Sequence, residues 1–129
     1  MDYFGYPVRE SLFPTEHSYF KNNPDVSGMA ADDKTIIFNP YSQNINKDAV
    51  GQNEAARLWL RENNVEPKFN IHPHQRESFK GTPYENNELA LRHTILGRII
   101  SGDPSAGMVT PVQQTWADWL MQQLQKRNK

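Results

Sequence analysis

The chain has 129 residues, a formal net charge of −1 and no cysteine. That length fits one domain with a modest core. Without thiols there are no disulfides, thiolate metal sites or cysteine nucleophiles, and the balanced charge gives no general attraction to nucleic acid or anionic lipid.

Leu, Ile, Val and Phe together make 27 of the 129 residues, just above the level at which disorder is the default. A folded chain with a thin core is therefore expected. No apolar run approaches the roughly 20 residues that a membrane helix needs. The opening MDYFGYPVRE has neither the basic nor the apolar region of a signal peptide. The 12 Asn and 8 Gln suit a packed protein contact, and equally an ordinary polar surface.

Residues 1–45 hold eight of the fourteen aromatic side chains and four of the nine prolines, with no helical period. Pro7, Pro14, Pro24 and Pro40 push the residues before them toward extended backbone. Residues 1–25 therefore read as an extended arm with one helical turn near Thr15–Phe20. Next comes a hairpin signal: the β-favouring Thr35–Phe38 follows the turn-prone Asp32-Asp33-Lys34, with Val26–Ala31 as the partner strand.

The rest reads as helical. A first helix spans 47–63, with Ala49, Ala56 and Leu60 in one stripe and Ala55 and Trp59 beside it. A short helix spans 73–80, with His72 as its cap, Pro73 in the first turn and Gln75 reaching back. A third spans 86–101, with Leu89, Ile95, Leu96, Ile99 and Ile100 as its apolar face. A fourth spans 111–126, where Val112, Trp116, Trp119, Leu120 and Leu124 recur at helical spacing. The fold class expected is mainly α: a small bundle of three to four helices with an N-terminal extended arm and one β-hairpin. Residues 1–25 would be the arm, and 26–129 a single small helical domain that includes the hairpin over 26–38.

ISGDPSAG, residues 100–107, has the composition of a phosphate or nucleophile loop but not the context. A phosphate loop leads from a strand into a helix and usually carries a lysine. Here a helix precedes and no lysine follows. Gly102 instead suits a left-handed helix end, and Pro104 blocks continuation. Thr110, Pro111 and Gln113 form the next helix start.

His72 and His74 could share a metal on extended backbone, with His93, His17 or Glu77 completing the set, but the spacing fixes no third ligand. His93 falls near an apolar face, where a hydrogen-bonded interior histidine is expected. Glu54/Arg57 and Glu88/Arg92 read as helix-surface ion pairs. The basic closing QKRNK complements a helix C-terminus. No nucleophile-elbow, zinc-protease or Walker pattern occurs.

Three stretches, GMAADDKTIIFNPYS, GQNEAARLWLREN and GTPYENNELALRHTILGRIISGDPSAG, resemble small proteins of tailed bacteriophages and their environmental relatives. The likeness spans about residues 26–107. It implies a phage-encoded protein, a component of the particle, and carries over no site residue.

The functional expectation is a non-enzymatic structural protein of an assembly: a virion cement, connector or tail component. It would be oligomeric and bind other protein subunits through Tyr3, Phe4, Tyr6, Phe13, Tyr19 and Phe20, since aromatic side chains bring large contact area at low entropy cost. No cofactor, metal, membrane or nucleic acid is expected as a partner. The alternatives are a small metal-dependent hydrolase using His72, His74 and His93, or an inhibitor of a host protein in the infected cytoplasm.

Overall fold

A computed structural model of the chain describes residues 1–43 and 45–127. Among these, five helices make up about half of the chain, and a four-stranded mixed sheet accompanies them. Helices dominate, as expected. The architecture is nevertheless helices packed on a small sheet, not a bundle with an appended arm.

The difference lies at the front. β1 (Asp2–Tyr3) and β2 (Tyr6–Arg9) are antiparallel, joined by Phe4–Gly5 with φ of 53° and 85°. Two successive left-handed residues let a two-residue turn follow the strand twist. Phe4 is an unusual residue for that conformation, and its ring is held between the two larger core clusters. α1 (Pro14–Asn22) follows, then β3 (Gly28–Ala30) and β4 (Ile36–Phe38).

β3 and β4 form the hairpin that the sequence indicates, with Met29 opposite Ile37 and Lys34 of the turn at φ 63°. β2 then pairs in parallel with β4, Val8 opposite Ile36, giving the order β1-β2-β4-β3. Parallel neighbours need a crossover, and the stretch carrying α1 and β3 supplies it. Residues 1–25 are thus an integral part of the fold. The prolines do keep this stretch from long helix, but extended backbone here means strand.

α2 (Lys47–Glu62) lies at the centre. On one side, Ala55 and Leu58 pack against Tyr6, Ala30 and Ile36 of the sheet. On the other, Ala56 and Leu60 meet α4 (Glu88–Ser101) and α5 (Pro111–Arg127), joined by Phe69, Ile71 and Phe79 around α3 (Pro73–Glu77). The outer sheet face puts Ile37 on Phe20 of α1. The layers therefore run α1, sheet, α2, then α4 and α5. The Arg61 guanidinium donates to the Ala30 carbonyl of edge strand β3 at 2.8 Å, covering one acceptor of that edge.

The helix ends follow their local signals. Asn46 and Asn87 cap α2 and α4 by accepting from Ala49 N and Ala90 N. Gly102 ends α4 at φ 70°, and the backbone N–H of Ser105 donates to Asp103 at 2.8 Å. Thr110 and Gln113 bond each other's backbone N–H groups at the start of α5, a capping box. At the start of α3, Gln75 Oε1 accepts from His72 N at 2.9 Å and His72 Nδ1 accepts from His74 N at 3.1 Å. The buried Gln75 and Gln113 amides also pair reciprocally, at 2.7 and 2.9 Å. Gln75 reaches the Ala106 and Met108 carbonyls, and Gln113 that of Asn70. One amide pair thus ties α3, the turn before α5 and the 66–70 loop.

Two helix faces are rotated from their expected positions. Leu89 is exposed, and Leu91 takes its place in the core of α4. On α5 the buried line is Gln113, Ala117, Leu120 and Leu124, leaving Val112 54% and Trp119 37% exposed. Trp119 lies edge-on to both Trp59 and Trp116 at the margin of the core.

The front of the chain meets α2 at Gly51, where a Cβ would overlap the Tyr3 ring. Gly51→Ala should lower the urea midpoint by an amount worth about 1–3 kcal/mol, the usual cost of overpacking. Adding Tyr3→Ala should recover part of that loss. An unchanged midpoint in Gly51→Ala would place the Tyr3 ring elsewhere.

Candidate functional site

The six aromatic side chains expected to bind a partner have different fates. Tyr6 and Phe20 are fully buried in the chain's own core, which corrects the expectation for both. Pairing with β4 turns Tyr6 onto α2, and α1 folds Phe20 onto Ile37. The Tyr6 hydroxyl donates to Glu62 Oε2 at 2.8 Å, and Arg127 lies 3.9 Å from its ring. Burial and that hydrogen bond raise the Tyr6 pKa above its ordinary value. Tyr3, Phe4 and Tyr19 are half-buried, and Tyr3 donates to Asp48 Oδ1 at 2.9 Å. Phe13 alone of the six stands in solvent, 55% exposed, next to Leu12 at 67%. Sequence reasoning passed over Leu12 because it weighed only aromatic side chains.

The backbone beneath Leu12 and Phe13 is pinned. Glu16 Oε1 accepts from Leu12 N at 3.0 Å and, more weakly, from Phe13 N at 3.4 Å. The Arg9 guanidinium engages both Glu16 oxygens, at 3.0 and 2.8 Å. Its Nε donates to Asp33 and Thr35 at 3.0 and 2.8 Å, and the guanidinium lies 5.8 Å from the Phe13 ring. Arg9 above all, helped by the two backbone N–H groups and opposed by burial, pulls the Glu16 pKa from 4.5 to about 2. A fork-to-carboxylate pair of this kind fixes geometry as well as charge. The turn thus presents two large apolar side chains outward on a fixed backbone.

The histidines do not converge. His72 and His74 are stacked, ring centres 5.1 Å apart, with His72 committed to capping α3. His93 is buried in α4, its Nε2 2.8 Å from the Val65 carbonyl. A carbonyl only accepts, so Nε2 carries the proton. Burial foremost, with the Arg57 and Arg61 charges, lowers the His93 pKa, and the Val65 bond opposes the shift. Among the described residues no three His, Asp or Glu side chains gather as a metal cluster.

A cleft of about 950 Å³ opens where residues 24–28, residues 41–43 and 45–46, α2, residues 79–84 and the end of α4 meet. Its floor holds Glu54 and Arg57, whose side chains are only 8% and 12% exposed. Arg57 Nη1 donates to both Glu54 oxygens, at 3.1 and 2.9 Å, and Nη2 donates to the Tyr84 hydroxyl at 3.1 Å. The expected helix-surface pair is thus a buried one. Asn53 and Arg98 line the same space. A second groove of about 750 Å³ runs between the 66–70 loop and the starts of α4 and α5, edged by Leu89 and Val112.

No family model matches the chain, and no curated protein or solved structure gives a significant match. Among the described residues no helix is long and apolar enough to cross a membrane.

Two acid transitions follow from these groups. His93 has a lowered folded pKa, so the unfolded chain takes the proton first. Stability should begin to fall as pH drops below about 6.5 and go on falling toward the folded value. Glu16 has a lowered acid pKa, so its contribution is whole above 4.5 and lost as pH falls toward about 2. Urea midpoints against pH should show both. His93→Gln, which keeps an N–H for Val65, should remove the first, and Glu16→Gln the second. A profile unmoved by either change would contradict these assignments.

Proposed function

We propose that the chain is a non-enzymatic interaction subunit of a macromolecular assembly, docking a neighbouring protein through Leu12 and Phe13. The observation that carries this reading is the pinned turn, where two adjacent large apolar side chains stand 67% and 55% exposed. Single apolar residues scattered on a surface need no explanation. Here a charged network, Arg9, Glu16 and Asp33, holds two neighbours outward together. A contact surface fixed in advance loses little entropy on binding, and buried anchors of this kind carry most of an interface's energy.

The contact keeps to the N-terminal part of the chain but narrows from six aromatic side chains to one turn. The resemblance of residues 26–107 to tailed-bacteriophage proteins makes a phage particle the setting, with the subunit acting as cement, connector or tail component. A hydrolase built on His72, His74 and His93 has less support, because His93 spends its N–H on Val65 inside the core.

The test is a double variant, Leu12→Ser with Phe13→Ser. Both side chains are exposed, so the urea midpoint should hold. Burying either side chain is worth about 2 kcal/mol, roughly thirtyfold in affinity. Tagged wild type and variant would be supplied during infection and counted in purified particles by mass spectrometry. Wild type should incorporate at fixed stoichiometry and the variant at a small fraction of it. Equal incorporation would sink the docking turn. Wild type absent from particles would sink the particle setting and favour an inhibitor of a host protein.

A further inference from the structure

The cleft over Glu54 and Arg57 holds hydrogen-bond donors that have no partner among the described residues. Both Glu54 oxygens are taken by Arg57. Tyr84 accepts from Arg57, so its own hydroxyl proton is unspent among the described residues. Arg57 also lies 4.9 Å over the Tyr84 ring, which holds the two side chains in register.

Arg98 forms no direct ion pair among the described residues, although the Asp103 carboxylate is near enough to act on its charge. No carboxylate among them lies within 4.0 Å of it, while its guanidinium rests 4.3 Å over the Phe79 ring. Only Nη1 is bonded, to Ser78 Oγ and the Ser105 carbonyl, at the long distances of 3.3 and 3.4 Å. Nε and Nη2 have no partner among the described residues. Burial above all, with the Arg57 charge adding to it, lowers the Arg98 pKa, and the Asp103 carboxylate opposes the shift.

Asn53 also lines the cleft. Its Oδ1 is buried without a hydrogen bond, against Gly97, where a Cβ would overlap it. No described residue receives a bond from its nitrogen either. An amide oxygen only accepts, so this one suits a donor on a ligand and not its acid group. Asp25 and Asp103 put carboxylates in the same lining, and one Asp103 oxygen accepts from Ser105 N at 2.8 Å. Val26, Val50 and Tyr41 supply apolar surface to the lining. A few polar groups in a mostly preformed, part-apolar hollow are what a small-ligand site requires.

We propose that this cleft binds a small organic ligand bearing a carboxylate or phosphate group, paired with Arg98 and bonded by the Tyr84 hydroxyl, its apolar body lying on Val26, Val50 and Tyr41. A guanidinium with Nε and Nη2 unspent matches a planar two-oxygen acceptor. The site is independent of the Leu12–Phe13 turn.

The test uses the full chain and three probes: inorganic phosphate, acetate and benzoate. NMR follows the Arg98 Nε–H and Tyr84 ring signals through each titration. Benzoate should give a saturable shift at lower concentration than acetate, because only benzoate has a body for the apolar surface. Phosphate against acetate then separates the two acid groups. Arg98→Met keeps the stem over Phe79 and should weaken binding by on the order of tenfold or more. Tyr84→Phe, which removes only a hydroxyl, should weaken it severalfold, and its fold can be checked by the same spectra. No saturable shift with any probe would overturn the proposal. So would a shift that both variants leave unchanged.

Discussion

α2 carries apolar side chains on two opposite sides, and burying both decides where the other elements go. Ala55 and Leu58 need one cover, Ala56 and Leu60 another. α4 and α5 supply the second. Nothing in the helical part of the chain is left to supply the first, so the front segment must. At roughly 25 cal/mol per Å² of apolar surface, an uncovered α2 face would cost a core this thin a large part of its stability. The left-handed Phe4, an uphill choice for a bulky residue, is tolerated because its ring fills the corner between the two clusters.

Much of this was legible locally. The Thr110–Gln113 and His72–Gln75 boxes, the Gly102 helix end and the β3–β4 hairpin each depend on a few neighbouring residues, and each appears where the sequence puts it. What was not legible depends on distant partners. β1 and β2 are two and four residues long, too short for alternation to stand out. Their parallel neighbour lies beyond α1, so no local pattern announces the pairing. The width of the apolar band on α2 was the available signal. Ala55, Ala56, Leu58, Trp59 and Leu60 cover more than one face, and a helix like that lies between two layers.

The sites divide in the same way. Phe13 was legible as an aromatic residue near a proline, but its exposure depends on which neighbours the sheet consumes. Tyr6 and Phe20 have the same chemistry and lie inside. Glu54 and Arg57 were legible as an i,i+3 pair. Their burial was not, because the cleft walls come from segments far apart in the chain. Such a pair on a helix surface contributes little, whereas one held from water organises the groups around it.

The parallel pairing of β2 with β4 bears on the order of events during synthesis. Val8 lies beside Ile36, and Tyr6 is anchored by Glu62. β2 therefore leaves the ribosome well before its template exists. For that interval Phe4, Tyr6 and Val8 form a sticky ribbon with nothing to cover them, the kind of segment that seeks wrong partners. Pro7, which offers no N–H, and the charged Arg9 lie within the same few residues. Both make a poor edge for a stray neighbour to add to, so the segment that waits longest also carries its own protection against mispairing.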